Sequence, residues 1–123
     1  MISIPPPAPI DDLTPWLRAI GERPVAVFKH SPACGTSRMA LRAFQEFLQG
    51  AGADTPVDYF LVDVLNDRPL SQALAKATGV RHESPQVLLL KNGMCVWTTS
   101  HISINAQALQ RQISKFLVKP SGA

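Results

Sequence analysis

The stretch HSPACGTSRM, from His30 to Met39, carries a single cysteine, Cys34, between an apolar segment and a helical pattern. Ser37 stands three residues later, where redox proteins often carry a second cysteine. A thiolate attacks disulfides through a mixed-disulfide intermediate. A Cys-x-x-Ser site can hold such an intermediate but cannot close an internal disulfide. The spacing therefore predicts a one-thiol cycle that an external thiol completes.

The pattern places Cys34 at the N-terminus of a helix. Unpaired backbone N–H groups and the positive end of the helix dipole favour a thiolate there. Such positions lower a cysteine pKa from about 8.5 into the range of roughly 3.5–7.5. We expect the Ser37 hydroxyl to donate a hydrogen bond to the sulfur. Cys34 and Ser37 are the predicted catalytic residues.

Neighbouring residues strengthen the case for a reactive thiol. Lys29, His30 and Arg38 bring possible positive charge close to the cysteine in sequence. Pro32 and Gly35 place it in a loop, which favours exposure over burial in the core. We include His30 and Gly35 among the predicted substrate-binding residues.

The second cysteine, Cys95, lies on a predicted hairpin whose turn is Asn92-Gly93, a strong signal for a two-residue β-turn. In that register Cys95 pairs with Leu90. Pro85, at the other end of the strand, is then about 17 Å away at roughly 3.3 Å per residue. A disulfide needs Cα atoms within about 7 Å. Cys95 is therefore predicted to be a packing residue and not a resolving thiol.

The same register places His101 opposite Ser84, beside Pro85, at the start of a strand where proline is tolerated. We assign Ser84, Pro85 and His101 to substrate binding. His101 is either an acid or base near the thiol or a surface histidine at a strand end. His82 and Glu83 are interpreted as loop residues that shape the rim around Pro85.

Periodicity predicts four strands and four helices. The strands are Pro24–His30, Val57–Val64, Pro85–Lys91 and Met94–Ser100, and the helices begin near Asp11, Cys34, Pro69 and Ile104. The order α-β-α-β-α-β-β-α implies a parallel pair joined by a helical crossover, followed by an antiparallel hairpin. An α/β fold with a mixed four-stranded sheet and helices on both faces satisfies these constraints. That is the thioredoxin-like arrangement.

The 123 residues suffice for one domain. We expect a Pro-rich N-terminal arm over residues 1–10, a single thioredoxin-like domain over 11–119 and a C-terminal tail over 120–123.

Composition disfavours several classes of function. The net charge is +3 and the twelve Lys and Arg residues are scattered, which predicts no nucleic-acid binding. No apolar run approaches the ~20 residues of a membrane span, and no signal peptide is evident, so the expected location is the cytoplasm. The spacing His30-x3-Cys34 is not a zinc pattern. We expect no metal and no bound cofactor.

The chain resembles the YtxJ-like monothiol bacilliredoxins over roughly Leu13 to Phe116. The most specific stretch is GVRHESPQVLLLKNGMCVWTTSH, and the FKHS element before the cysteine fits as well. The resemblance implies that Pro85 is a cis-proline facing the nucleophile and that Ser84 offers backbone groups to an incoming disulfide. It also implies that Cys34 takes bacillithiol from S-bacillithiolated proteins.

One departure affects the choice of small thiol. Gly35 follows the cysteine, where this family often has proline. PACGTSR looks like the site of glutaredoxin-type arsenate reductases, but 123 residues leave no room for their inserted helical region. CGTS resembles the CGFS of monothiol glutaredoxins, which share an iron–sulfur cluster between protomers, although Thr36 replaces the aromatic residue.

The leading hypothesis is an enzyme, a monothiol thiol–disulfide oxidoreductase that removes a small thiol from S-thiolated proteins. Its co-substrate is bacillithiol, glutathione or another low-molecular-weight thiol, and the protein is expected to be a monomer or weak dimer. An iron–sulfur carrier or thiol sensor is the first alternative. Arsenate-reductase-like activity is the second.

Overall fold

The computed structural model describes residues 2–3, 24–50 and 58–117. The strands are β1 (Ile2–Ser3), β2 (Val25–His30), β3 (Asp58–Asp63), β4 (Gln86–Lys91) and β5 (Met94–Ser100). The helices are α1 (Gly35–Gln49), α2 (Arg68–Thr78) and α3 (Ala106–Leu117), with a 3-10 turn at His101–Ser103. The helix predicted to begin near Asp11, the tail 120–123 and residues 4–10 of the arm lie outside the described residues.

The strands form one sheet in the order β1-β3-β2-β4-β5. β2 runs parallel to β3, as the helical crossover requires, while β4 is antiparallel to both β2 and β5. The predicted α/β, thioredoxin-like arrangement is confirmed. The four predicted strands gain a fifth, because Ile2 and Ser3 pair with Asp58 and Tyr59 at the edge of β3. This part of the Pro-rich arm is therefore a short strand.

Apolar side chains alternate between the two faces of the sheet, as the period of a β-strand dictates. On one face, Ala26, Phe28, Val87 and Leu89 pack with residues of α1 and α3. On the other face, Val25, Val27, Leu88 and Leu90 pack with residues of α2. Helices therefore cover both faces, and the central strands β2 and β4 are buried.

The helix ends follow the predicted signals, with one exception. Cys34 is the N-cap of α1, and Gly79 ends α2 with a φ of 72°, a left-handed conformation that favours glycine. Pro69 lies in the first turn of α2. Ile104 was predicted to lie within the last helix, but it precedes α3 and is buried in the core as part of the connection.

The β4–β5 hairpin turns at Asn92 and Gly93, which have φ values of 55° and 76°. Positive φ at both central residues is typical of the type I′ turn and fits the twist of the strands. Cys95 pairs with Leu90, which confirms the predicted register near the turn.

The register beyond that point differs from the prediction. Leu90 pairs with Cys95 but Leu89 pairs with Trp97, so Val96 is the extra residue of a β-bulge. Every later pairing shifts by one residue. The His101 N–H consequently donates to the carbonyl of Pro85 at 3.1 Å, so the expected pairing of His101 with Ser84 was wrong.

Removing the Phe44 ring should destabilise the fold. Phe44 is fully buried on α1 and packs against Phe28, with ring centroids 5.2 Å apart and the ring planes tilted by 38°. We expect Phe44→Ala to lower the free energy of unfolding by about 3–5 kcal/mol. Urea unfolding measures the change. Met39→Ala on the same helix is the matched control, since Met39 is 75% exposed and should change stability by less than about 0.5 kcal/mol. Equal losses in both variants would contradict the assignment of the core.

Candidate active site

The predicted site residues converge at one edge of the sheet. β2 ends at His30 and β3 at Asp63, and the N–H of Val64 donates to the carbonyl of His30 at 2.9 Å. The loop after β2 leads directly into the N-terminus of α1. Pro85 reaches the same edge because β4 begins there and runs antiparallel to β2.

Cys34 has extended backbone angles, with φ −111° and ψ 126°, and its side chain is partly exposed. The pKa of its thiol is lowered. The largest cause is the backbone N–H of Ser37, followed in the opposite direction by partial burial, and then by the N–H and hydroxyl of Thr36 and the charge of Arg38. These donors are the unpaired groups of a helix start. The geometry makes Cys34 the candidate nucleophile, as predicted.

Ser37 plays a different part from the one expected. Its side chain is fully buried, and its hydroxyl lies 2.9 Å from the backbone nitrogen of Ser31 and 2.9 Å from Nδ1 of His30. The Ser31 N–H donates to this oxygen. The expected hydroxyl bond to sulfur was wrong, because these partners draw the side chain inward. Only the main-chain N–H of Ser37 serves the thiol.

His30 is half-buried and its Nδ1 is engaged by Ser37. Its charge, when present, also contributes to lowering the pKa of Asp63 on the neighbouring strand, although the main cause there is the backbone N–H of Asn66. Asp63 accepts hydrogen bonds from the N–H groups of Leu65 and Asn66. Through its contact with the Ser37 hydroxyl, His30 connects the end of β2 to α1.

The predicted docking residues lie beside β4. The Ser84–Pro85 peptide bond is cis, which confirms the expectation drawn from the resemblance. The Oγ of Ser84 is buried without a hydrogen-bond partner among the described residues. His101 is exposed and has a φ of 55°. It touches this segment through its main chain.

Lys29 does not contribute its charge to the thiol as sequence proximity had indicated. The side chain is fully buried on the α2 side of the sheet, where Nζ donates to the carbonyl of Ser71 at 3.0 Å. Burial lowers its pKa to about 8. Because consecutive strand residues face opposite sides, Lys29 and His30 point away from each other. Arg38 is the cation that acts on Cys34.

The spacing of Cys34 and Ser37 did not predict the contribution of Thr36. Its hydroxyl and N–H both favour the thiolate. The available signal was a hydroxyl residue in the first turn of a predicted helix, where such side chains bond locally.

Cys95 behaves as predicted. It is partly buried on the α2 face, its Sγ–H donates to the carbonyl of Trp97 at 3.3 Å, and burial raises its pKa. Such a thiol is a weak nucleophile at neutral pH. Its pairing with Leu90 places it near the hairpin turn, away from Pro85.

Within the described ranges, no group of three or more His, Cys, Asp or Glu side chains is arranged to hold a metal ion. Over the same part of the chain, none of the helices combines the length and apolar character needed to cross a bilayer.

Two substitutions at adjacent positions should separate thiol activation from local stability. Thr36→Val removes a hydroxyl donor and should raise the Cys34 pKa. Ser37→Ala keeps the main-chain donor and should change that pKa less, but should lower the free energy of unfolding by about 1–3 kcal/mol, because Ser31 and His30 lose a buried partner. The pH dependence of Cys34 alkylation measures the first effect and urea unfolding the second. A larger pKa change in Ser37→Ala than in Thr36→Val would overturn these assignments.

Gly35 is not required by the backbone. It is the first residue of α1, and a Cβ there would meet only a guanidinium nitrogen of Arg38, at 3.8 Å. Proline is favoured at this helix position, and the extended Cys34 is compatible with a following proline. We expect Gly35→Pro to raise the free energy of unfolding by about 0.4–1 kcal/mol, measured in urea. A loss of stability would show that the Gly35 N–H makes a needed contact.

Comparison with known proteins agrees with the geometry. A family model described as monothiol bacilliredoxin BrxC matches residues 9–109. A solved structure of a proposed oxidoreductase with a thioredoxin fold is 34% identical, with a TM-score of 0.69 and 92% of each chain covered.

Two more distant structures are similar in fold. Thioredoxin from Malassezia sympodialis (Mala s 13) is 19% identical with a TM-score of 0.66, covering 96% of this chain and 92% of that one. Chlamydomonas reinhardtii thioredoxin f2 is 17% identical with a TM-score of 0.64, covering 94% of both. Together with the match over residues 9–109, the site geometry leads to one conclusion: the chain belongs to the monothiol bacilliredoxin family and has a thiol redox role.

Proposed function

We propose that the protein is a monothiol thiol–disulfide oxidoreductase that removes a small thiol from mixed disulfides on proteins. The observation that carries the proposal is the partly exposed Cys34, whose pKa is lowered by first-turn donors of α1. Membership of the bacilliredoxin family favours bacillithiol as the small thiol. Glutathione is the alternative.

In the first step the Cys34 thiolate attacks the small-thiol sulfur of the mixed disulfide. A new disulfide forms between Cys34 and the small thiol as the old sulfur–sulfur bond breaks. The electron pair leaves with the sulfur of the protein substrate, which departs as a thiolate. Thiol–disulfide exchange of this kind is favoured when the attacking thiol is ionised near ambient pH.

In the second step a thiolate of another small-thiol molecule attacks the adduct. It forms the symmetric small-molecule disulfide and returns Cys34 as a thiolate. An external thiol is needed because Ser37 holds the position of a resolving cysteine and Cys95 pairs with Leu90 near the hairpin turn. The cycle then consumes two small thiols, one from the substrate and one from solution.

The first turn of α1 supplies the hydrogen-bond donors that the first step requires. Main-chain N–H groups of Thr36 and Ser37 favour negative charge on the attacking sulfur. The same groups favour the thiolate again when Cys34 leaves the adduct in the second step. Low basicity of the leaving sulfur speeds that step.

The protein incubated with oxidised bacillithiol, and separately with oxidised glutathione, should gain the mass of one small thiol. Peptide mapping should place the adduct on Cys34. Reduced small thiol should remove it. The thiolate requirement predicts that adduct formation slows as pH falls through the lowered Cys34 pKa.

Cys34→Ser should abolish the adduct, while the matched variant Cys95→Ser should keep it, because the Cys95 thiol is half-buried. A second assay supplies an S-bacillithiolated protein and follows release of its free thiol. No adduct on Cys34 with either disulfide, in a folded protein, would rule out the proposed function. Equal rates with both disulfides would leave the reaction standing and refute bacillithiol as the preferred thiol.

A further inference from the structure

Two polar side chains lie on the apolar face of the sheet that packs against α2. Lys29 is fully buried and Gln86 is 2% exposed. They are direct partners across the β2–β4 ladder, at the edge where the site lies. Burying an amine and an amide costs free energy unless both are hydrogen-bonded. Nζ of Lys29 and Nε2 of Gln86 have such partners, whereas Oε1 of Gln86 is buried without one among the described residues.

Both side chains reach the same loop, which we define as the 79–85 loop, between α2 and β4. Nζ of Lys29 lies 3.3 Å from Nδ1 of His82 and donates to Ser71 on α2. The Ser71 hydroxyl lies 3.1 Å from the same Nδ1. Nε2 of Gln86 donates to the carbonyl of Arg81 at 3.0 Å. The loop is thus tied to β2, α2 and β4 immediately before Ser84 and Pro85.

The chemistry of Lys29 fixes the state of His82. An ammonium has three donors and no acceptor. While Lys29 is charged, its 3.3 Å contact with Nδ1 of His82 is a hydrogen bond only if Nδ1 accepts, which places the proton of a neutral ring on Nε2. A proton on Nδ1 would point a second positive donor at the ammonium. The hydrogen bond between Lys29 and His82 therefore exists only while His82 is neutral.

We propose that His82 is a positioning residue: its Nδ1 holds the 79–85 loop on Lys29 and Ser71, and protonation of His82 releases the segment that presents Ser84 and Pro85 to the disulfide. The inference rests on the proposed function, since it concerns how the disulfide is presented to Cys34. His82 itself does not touch the reacting sulfur atoms. Its effect is on docking, and thiolate formation at Cys34 does not depend on it.

The groups around His82 set the pH at which the loop is released. His82 is largely exposed, and the partial desolvation of its ring is the largest cause that lowers its pKa, while the charges of Lys29 on β2 and Arg68 on α2 lower it further. Glu83, beside it in the loop, acts in the opposite direction. A base whose pKa is lowered in the folded protein contributes fully above its ordinary value, about 6.5. The contribution is lost as pH falls through the lowered pKa.

The test compares two reactions of Cys34 over a pH series. Adduct formation with oxidised glutathione or bacillithiol requires docking, whereas alkylation by iodoacetamide reports thiolate alone. Because both reactions require the Cys34 thiolate, the ratio of adduct formation to alkylation cancels the pH dependence that comes from ionisation of Cys34. In the wild-type protein this ratio should fall on the acid side of neutrality. His82→Ala should lower it about tenfold at neutral pH, the effect of losing a hydrogen bond to a charged group.

His82→Gln supplies an acceptor that does not titrate. It should restore much of the ratio at neutral pH and make it independent of pH on the acid side. Arg81→Lys is the matched control, because its side chain is exposed and its carbonyl is retained. It should match the wild-type profile.

A second readout does not involve the reaction. NMR titration of the His82 ring should give a pKa below the ordinary value, and Lys29→Met should raise it by removing the facing cation. A wild-type rate ratio in His82→Ala, or a His82 pKa unmoved by Lys29→Met, would overturn the inference. Absence of any adduct in the wild-type protein would instead refute the proposed function, and the NMR titration would still decide whether Lys29 holds His82.

Discussion

Main-chain N–H groups in the first turn of α1 converge on the Cys34 sulfur, and this requires that residue to be the N-cap with extended backbone angles. A cap of this kind is sensitive to where the preceding loop places the chain. The loop is held by Ser37, whose buried hydroxyl binds the Ser31 nitrogen and His30. The serine that replaces a second cysteine therefore builds the thiol site without touching the sulfur through its side chain.

Two consecutive residues of β2 fix the two halves of that site. His30 faces α1 and contacts Ser37, whereas Lys29 faces α2 and contacts His82 in the 79–85 loop. The strand period of two makes this division unavoidable. An apolar residue in place of the buried Lys29 would pack as well or better, since buried amines stabilise folds poorly. The polar pair is thus better explained by the loops it orders than by stability.

Local signals made most of the fold predictable. Asn92-Gly93 specified the hairpin turn, and the apolar runs of β2 and β4 specified the central strands. The β-bulge at Val96 left no comparable signal, because it adds one residue without a turn or a glycine, and it moved His101 by one position. Side-chain partners were equally hidden. Sequence proximity suggested that Lys29 faced the thiol, but strand alternation carried it to the other face.

The groups that lower the pKa of Cys34 lie in the first turn of α1, beside Gly35. Gly35 itself stands where related sites often have proline. The N–H groups that ionise Cys34 belong to Thr36 and Ser37, so the side chain at the first position of α1 is not among the donors. A Cβ at Gly35 would meet no backbone. Glycine in place of the proline common in related sites therefore leaves the nucleophile unchanged. The main-chain donors of α1 act on the sulfur whichever small thiol the adduct carries, so they give no basis for choosing among small thiols.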